Sequence, residues 1–152
     1  MPDLSTTYLG LPLKNPLVPS STPLSRELDA VLHLEDAGAA AIVMHSLFEE
    51  DVRRDEQMMD RFLIHPEYAS ESFGHLPDSD DYVSKLDAYL EQIQRLKARL
   101  GIPVIASLNG CSLDGWVELG REMQTAGADA LELNAWFMPA DPHIGASALE
   151  EH

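Results

Sequence analysis

Four short polar stretches carry the residue types that chemistry needs: Ser20-Ser21-Thr22, His45-Ser46, Ser107-Leu108-Asn109-Gly110-Cys111 and Glu132-Leu133-Asn134. Hydroxyls and free backbone N–H groups at Ser20 and Ser21 suit a phosphate or the polar edge of a ring. The same residues also suit a plain polar turn that caps the next helix. His45 is the residue type that moves a proton near neutral pH, or it is a histidine at a rim with no chemical task. The Asn109 amide donates and accepts at once, which fits a heterocycle with alternating N–H and C=O groups. Gly110 beside it lets a ligand approach the backbone. Cys111 has no activating partner in the sequence and reads better as a small structural residue than as a nucleophile. A buried amide at Asn134 needs partners, and a ligand is one source of them. Glu132 alternates with Leu131 and Leu133, so it points inward, with a buried ion pair to a residue outside this chain as the plain alternative.

Each stretch follows an apolar run, and two of those runs repeat one phrase. Ala37-Gly38-Ala39-Ala40-Ala41-Ile42-Val43-Met44 is echoed by Ala126-Gly127-Ala128-Asp129-Ala130-Leu131-Glu132-Leu133-Asn134. The pattern reads as a helix closed by a left-handed glycine, followed by a buried parallel strand. Repetition of that unit predicts an α/β fold, a (β/α) barrel with its chemistry at the carboxyl ends of the strands. The expected elements are a small hairpin over Thr6–Leu13, a first strand over Asn15–Ser21 and a helix from Arg26 to Ala37 capped by Ser25. A second strand follows at Ala40–Met44, then an exposed, highly charged helix over Leu47–Leu63. A helix starting at Asp80 or Asp81 runs to Leu100, with Leu86, Tyr89, Leu90, Ile93 and Leu96 as its apolar stripe. The third strand is Pro103–Leu108. A helix over Leu113–Ala126 follows, with Trp116, Val117, Leu119 and Met123 as core candidates, and Ala130–Asn134 is the fourth strand. Residues 64–81 form a Pro/Gly/Ser/Asp-rich loop of a length usually tied to function or disorder.

The chain has 152 residues, whereas a closed eight-stranded barrel takes about 250. About four β/α units are therefore expected, as an incomplete barrel with two open sheet edges that favour association. The expectation is a piece of a longer protein or a truncated reading frame, with a dimer of half-barrels as the weaker alternative. A formal net charge of −16 argues against nucleic acid as a partner. A single cysteine makes no internal disulfide and fits a reducing compartment. No apolar run approaches the ~18 residues of a membrane span, and the N-terminus lacks the features of a signal peptide. A cytoplasmic protein without membrane contact is the expectation. The six histidines are scattered without zinc-ligand spacing. Neither a Walker loop nor Gly-x-Gly-x-x-Gly is present.

With these residues in place, the chain resembles the first half of the dihydroorotate dehydrogenase family. The resemblance is carried by Tyr8-Leu9-Gly10-Leu11 with Asn15-Pro16-Leu17-Val18, Leu34-Glu35-Asp36-Ala37-Gly38-Ala39, Pro103-Val104-Ile105-Ala106-Ser107 and Leu131-Glu132-Leu133-Asn134. It implies a TIM-type (β/α)8 barrel, an FMN cofactor and oxidation of dihydroorotate in pyrimidine synthesis. By the same resemblance Ser20 and Ser21 match a small step that touches FMN. Ser107 matches a polar FMN contact with Asn109 close by, Ser46 lies next to the flavin-binding lysine position, and Asn134 contacts flavin and the pyrimidine ring. Three departures stand out. The lysine position holds His45 or Met44. The substrate loop is only echoed by Phe73-Gly74-His75-Leu76-Pro77-Asp78. The usual catalytic base position is Phe137, which accepts no proton, so His45 or His75 is the substitute candidate. The implied function is an FMN-dependent oxidoreductase acting on a dihydroorotate-like small molecule, with homo-oligomers possible. The alternative is a non-catalytic fragment that associates through its open edges.

Overall fold

The computed structural model describes residues 2–64, 83–135 and 145–147, with the backbone alone for 61–64. The chain enters as an antiparallel hairpin, β1 (Thr6–Tyr8) and β2 (Leu11–Leu13), as the sequence predicts. Its two-residue turn has positive φ at Leu9 and Gly10, the geometry that matches strand twist in tight hairpins. A short 3-10 helix (Pro23–Arg26) leads to α1 (Leu28–Asp36), then β3 (Ile42–Phe48) and α2 (Glu49–Ile64). After the next described segment begins, α3 (Lys85–Arg99), β4 (Val104–Asn109), α4 (Leu113–Ala126) and β5 (Ala130–Leu133) follow in turn.

The three later strands form a parallel sheet in the order β3-β4-β5. The fold is thus mixed α/β with helices on a parallel sheet. The twin glycine phrases do what their composition predicts. Gly38 and Gly127 both have φ above 100°. In both, the N–H of the following alanine returns to a carbonyl five residues back, Ala39 to Leu34 at 3.0 Å and Ala128 to Met123 at 3.1 Å. This is one capping motif used twice to turn a helix into a strand.

Several expectations are corrected. Asn15–Ser21 forms no strand. Pro16 and Pro19 have no N–H to give a ladder, and the segment joins the fold through Ala40 N–H to the Leu17 carbonyl at 2.9 Å. The described sheet therefore has three parallel strands rather than four. Ser25 caps no long helix. Thr22 caps the 3-10 helix, α1 starts only at Leu28, and Ser25 is buried with its hydroxyl turned onto β3. The helix expected from Asp80 or Asp81 is capped by Ser84, whose hydroxyl accepts the Asp87 N–H; the two aspartates lie outside the described residues. Val117 points to solvent, whereas Leu119 and Met123 are buried.

The sheet has two unlike faces. On the outer face Met44, Leu47, Val104, Ala106 and Leu108 pack against Val31, Ile93, Leu96, Leu119 and Met123 of the helices. On the inner face Ala41, Val43 and Ile105 pack, among the described residues, with Leu13 and Leu11 of the hairpin and with Ala40, Val18 and Ala130. Among the described residues no helix is long and apolar enough to cross a membrane.

Candidate functional site

Side-chain alternation places Ile105, Ser107 and Asn109 of β4 on the inner face. The β3 strand reaches the same face by a different route. Val43 pairs with Ile105 and Ser46 with Ser107, so Met44 and His45 together oppose Ala106. This is a β-bulge, which inserts one residue and re-aims the side chains after it. Without it, Ser46 would turn outward and His45 inward. With it, Ser46 lies opposite Ser107 on the inner face while Met44 and His45 both face the helices.

Residues of the three strands then meet Ser21 in one hydrogen-bonded cluster. Ser46 Oγ lies 2.8 Å from Ser107 Oγ and 3.2 Å from Ser21 Oγ. Ser107 Oγ donates to Glu132 Oε1 at 2.8 Å. Asn134 Nδ2 donates to Ser46 Oγ at 3.3 Å and to Ser107 Oγ at 3.4 Å. The Asn134 backbone N–H also continues the ladder onto the Leu108 carbonyl at 3.0 Å, which fixes where that side chain starts. Asn109 is on the same face, and its buried Oδ1 has no hydrogen-bond partner among the described residues. Such an orphan acceptor is costly to keep and commonly marks a place where another donor binds. Ser20 is exposed and borders a cavity of about 390 Å³, lined also by Leu13, Val43 and Glu132. The structure therefore gathers Ser21, Ser46, Ser107 and Asn134, keeps Asn109 on their face, and leaves Ser20 at the margin.

His45 does not join them. The bulge turns it to the other face of β3, where its ring meets Tyr89 edge-on at 5.0 Å between centroids. Ser25 gives its proton to the Thr22 carbonyl at 2.9 Å and accepts the His45 backbone N–H at 2.6 Å. Its oxygen therefore receives a proton from His45 Nδ1, 3.1 Å away, which sets the Nδ1–H tautomer. Burial, and then the positive charge of Arg26, lower the His45 pKa to about 4. The ring is neutral at pH 7 and borders a separate cavity of about 590 Å³ on the helix side, with Arg26, Tyr89, Gln92 and Arg95. Phe137 and His75 lie outside the described residues.

Three positioning residues escaped the sequence reading. Tyr89 was visible only as part of an apolar stripe, yet its hydroxyl accepts the Ser107 N–H at 3.0 Å and donates to the Ser107 carbonyl at 3.2 Å. It thereby satisfies both backbone groups of Ser107 beside the bulge, and burial raises its pKa. Gln92 Nε2 ties the 3-10 helix to α3 through the carbonyls of Ser25 and Arg26, at 3.0 and 3.2 Å.

Glu49 looked like one more charge on an exposed helix. Instead it is buried, accepting from Cys111 N–H at 2.6 Å, Ser112 N–H at 3.0 Å and Ser112 Oγ at 2.5 Å, with Arg53 alongside. Burial pushes its pKa up, but those hydrogen bonds outweigh it and hold the carboxyl below its ordinary value. Gly115 makes room, since a Cβ there would run into the Glu49 carboxylate. The loop after Asn109 is thus pinned at its far end. Cys111 is exposed, and its thiol pKa is raised by burial and by the Glu49 charge, the reverse of an activated nucleophile. No group of three or more His, Cys, Asp or Glu among the described residues could hold a metal ion.

No family model matches the chain. Its sequence is 33% identical over 150 residues to the dihydroorotate dehydrogenase B (NAD(+)) catalytic subunit of Thermoplasma acidophilum. The match takes in 99% of this chain and 46% of that relative, so the chain spans about half the relative's length. The chain is thus similar to the first half of that dihydroorotate dehydrogenase subunit, in line with the resemblance read from Asn15-Pro16 through Asn134.

Proposed function

We propose that residues 1–152 are the N-terminal half of an FMN-dependent (β/α)8 barrel, an oxidoreductase that acts on a dihydroorotate-like small molecule. One observation carries the reading. Residues far apart in sequence, Ser46 and Ser107 from the carboxyl-terminal halves of β3 and β4, Asn134 just after β5 and Ser21 from the loop before the 3-10 helix, converge beside a buried Asn109 oxygen that has no donor among the described residues. Parallel α/β folds bind ligands at that end of the sheet. A flavin ring presents an N–H between two carbonyls, so it brings the donor that Asn109 lacks and acceptors for other amides and hydroxyls. Ser20, Ser21, Ser46, Ser107, Asn109 and Asn134 are the residues that would hold it. FMN, when bound, supplies the hydride acceptor. The chain's own residues orient the ring and handle protons. With Phe137 at the usual base position, proton removal falls to another group.

An FMN titration followed by flavin fluorescence tests the reading, on this chain and on a version extended by the coding region after His152. Binding by either is the expected result. Asn109→Ala and Asn134→Ala should each weaken it by about 1–3 kcal/mol, the cost of leaving a buried partner unpaired. If neither chain binds, the relationship is one of descent alone and the flavin reading fails. The alternative, a non-catalytic fragment that associates through sheet edges, draws support from β3 and β5. Each pairs with one neighbour among the described residues, and Phe48 and Leu133 at their ends are exposed. Self-association without flavin binding would favour it.

A further inference from the structure

The serine cluster has a fixed proton polarity, and it ends on a carboxylate. Each hydroxyl owns one proton. Ser107 spends its proton on Glu132 Oε1, so Ser107 Oγ can only accept from Ser46. The Ser46 proton is then committed, so Ser21 is the donor in the Ser21–Ser46 bond. Asn134 adds two N–H bonds to the serine oxygens and fixes them in the accepting sense. No Lys, Arg or His pairs with Glu132 among the described residues, and Ser107 is its one hydrogen-bond partner there. Among the described residues, then, this half-buried carboxylate is held by the serine chain.

We infer that Ser21, Ser46 and Ser107 form a proton relay with Glu132 as its terminal acceptor, the base that stands in for the one missing at Phe137. The step balances. A proton from a carbon acid next to a carbonyl enters at Ser21 Oγ as the Ser21 proton passes to Ser46, the Ser46 proton to Ser107, and the Ser107 proton to Glu132. Three neutral serines remain, Glu132 ends as a carboxylic acid, and the substrate has lost one proton. The hydride lost from the same substrate goes to the flavin of the proposed function. The inference rests on that reading for the source of the proton; the relay itself belongs to this chain. Glu132 also borders the 390 Å³ cavity, which gives the proton a way out.

Two measurements separate the relay from the flavin reading. The first needs no ligand. Serine ¹³Cβ and hydroxyl ¹H shifts of Ser21, Ser46 and Ser107 are followed while the chain is titrated through protonation of Glu132. Tyr8 on the hairpin, Tyr89 on α3 and His45 on β3 lie near the relay. Burial raises the Tyr89 pKa and keeps it neutral in acid, whereas His45, its pKa lowered to about 4 by burial and then by Arg26, takes up a proton there, so the same titration of His45→Asn separates its effect on the serines. All three serines should move with one midpoint, and Ser107→Ala should uncouple Ser46 and Ser21 from it. Serines that do not follow Glu132 in the wild-type chain overturn the relay whether or not flavin binds. The second measurement is single-turnover flavin reduction by dihydroorotate in the FMN-binding form. Glu132→Gln keeps an oxygen for Ser107 but takes up no proton. It should leave FMN affinity within about twofold and slow reduction by about 10²–10⁴-fold, the usual worth of a general base. Reduction at the wild-type rate overturns the relay and leaves the flavin reading standing. Failure of any form to bind FMN removes the flavin reading, and the serine titration then decides the relay alone.

Discussion

Ser107 and Leu108 are neighbours on β4, both fully buried, and they live on opposite faces of one sheet. Leu108 looks outward into a continuous apolar layer shared with Val31, Ile93, Leu96 and Met123. Ser107 looks inward into a polar layer of Ser21, Ser46, Glu132 and Asn134. The outer face stabilises through area removed from water, which no ligand improves. The inner face stores polar groups that each need a partner, and at Asn109 none is found among the described residues. Stability and candidate chemistry are therefore divided by the pleat of the strand, one residue apart.

That division predicts the largest effect. Leu108→Ala should cost about 2–5 kcal/mol, because it removes a fully buried side chain from a layer of fixed helices. Ser107→Ala should cost about 1 kcal/mol, the net worth of a hydrogen bond, while its effect on ligand binding is the greater of the two. Urea unfolding of both variants checks the contrast. Equal losses would mean that the two faces do not divide the work.

The same division shows what the sequence can disclose. The outer face was legible, since apolar spacing at Tyr89, Ile93 and Leu96, and again at Leu119 and Met123, reports burial directly. The helix-to-strand turns were legible because only a left-handed residue closes them, and glycine stands at 38 and 127. Ser46, Ser107 and Asn134 were legible as polar residues that end apolar runs. The bulge at Met44–His45 was not, because one extra residue in a strand leaves no compositional trace. It turns His45 to the helix side and keeps Ser46 on the face of the other serines. The strand expected at Asn15–Ser21 failed for a related reason: its apolar character comes from Leu17 and Val18, but Pro16 and Pro19 cannot join a ladder. Glu49 was hidden among Glu50, Asp51 and Arg53, since charge alone does not say which member of a cluster is buried.

Glu49 gives a smaller effect than Leu108 and sharpens the contrast at the edge between the faces. Its carboxylate accepts three hydrogen bonds from Cys111 and Ser112. Glu49→Gln offers an N–H₂ group where an acceptor is required, and should cost about 1–3 kcal/mol at pH 7. The folded pKa is lowered, so the charged form favours the folded state. Its contribution is present above the ordinary value of 4.5 and is lost as pH falls through the lowered folded value. Denaturation midpoints at pH 7 and pH 3 should therefore differ more for the wild type than for Glu49→Gln. Parallel pH curves would show that the charge of Glu49 does not hold the loop after Asn109.

His45 gives the smallest effect and tests the bulge itself. Its pKa falls from 6.5 to about 4 on folding, so between those values the unfolded chain binds the extra proton. Stability is then full above pH 6.5 and declines as pH drops toward 4, with no further loss from this group below that. Asparagine carries an N–H where the imidazole has Nδ1, so His45→Asn keeps a donor for Ser25 and removes the titration. The variant should lose little at pH 7 and show a flatter thermal midpoint between pH 7 and pH 4.5. FMN affinity should not change, because the bulge turns residue 45 toward Tyr89 and away from the serines. A His45→Asn chain that binds flavin more weakly at unchanged stability would place the imidazole on the ligand side, and the assignment of the two faces at β3 would have to be exchanged.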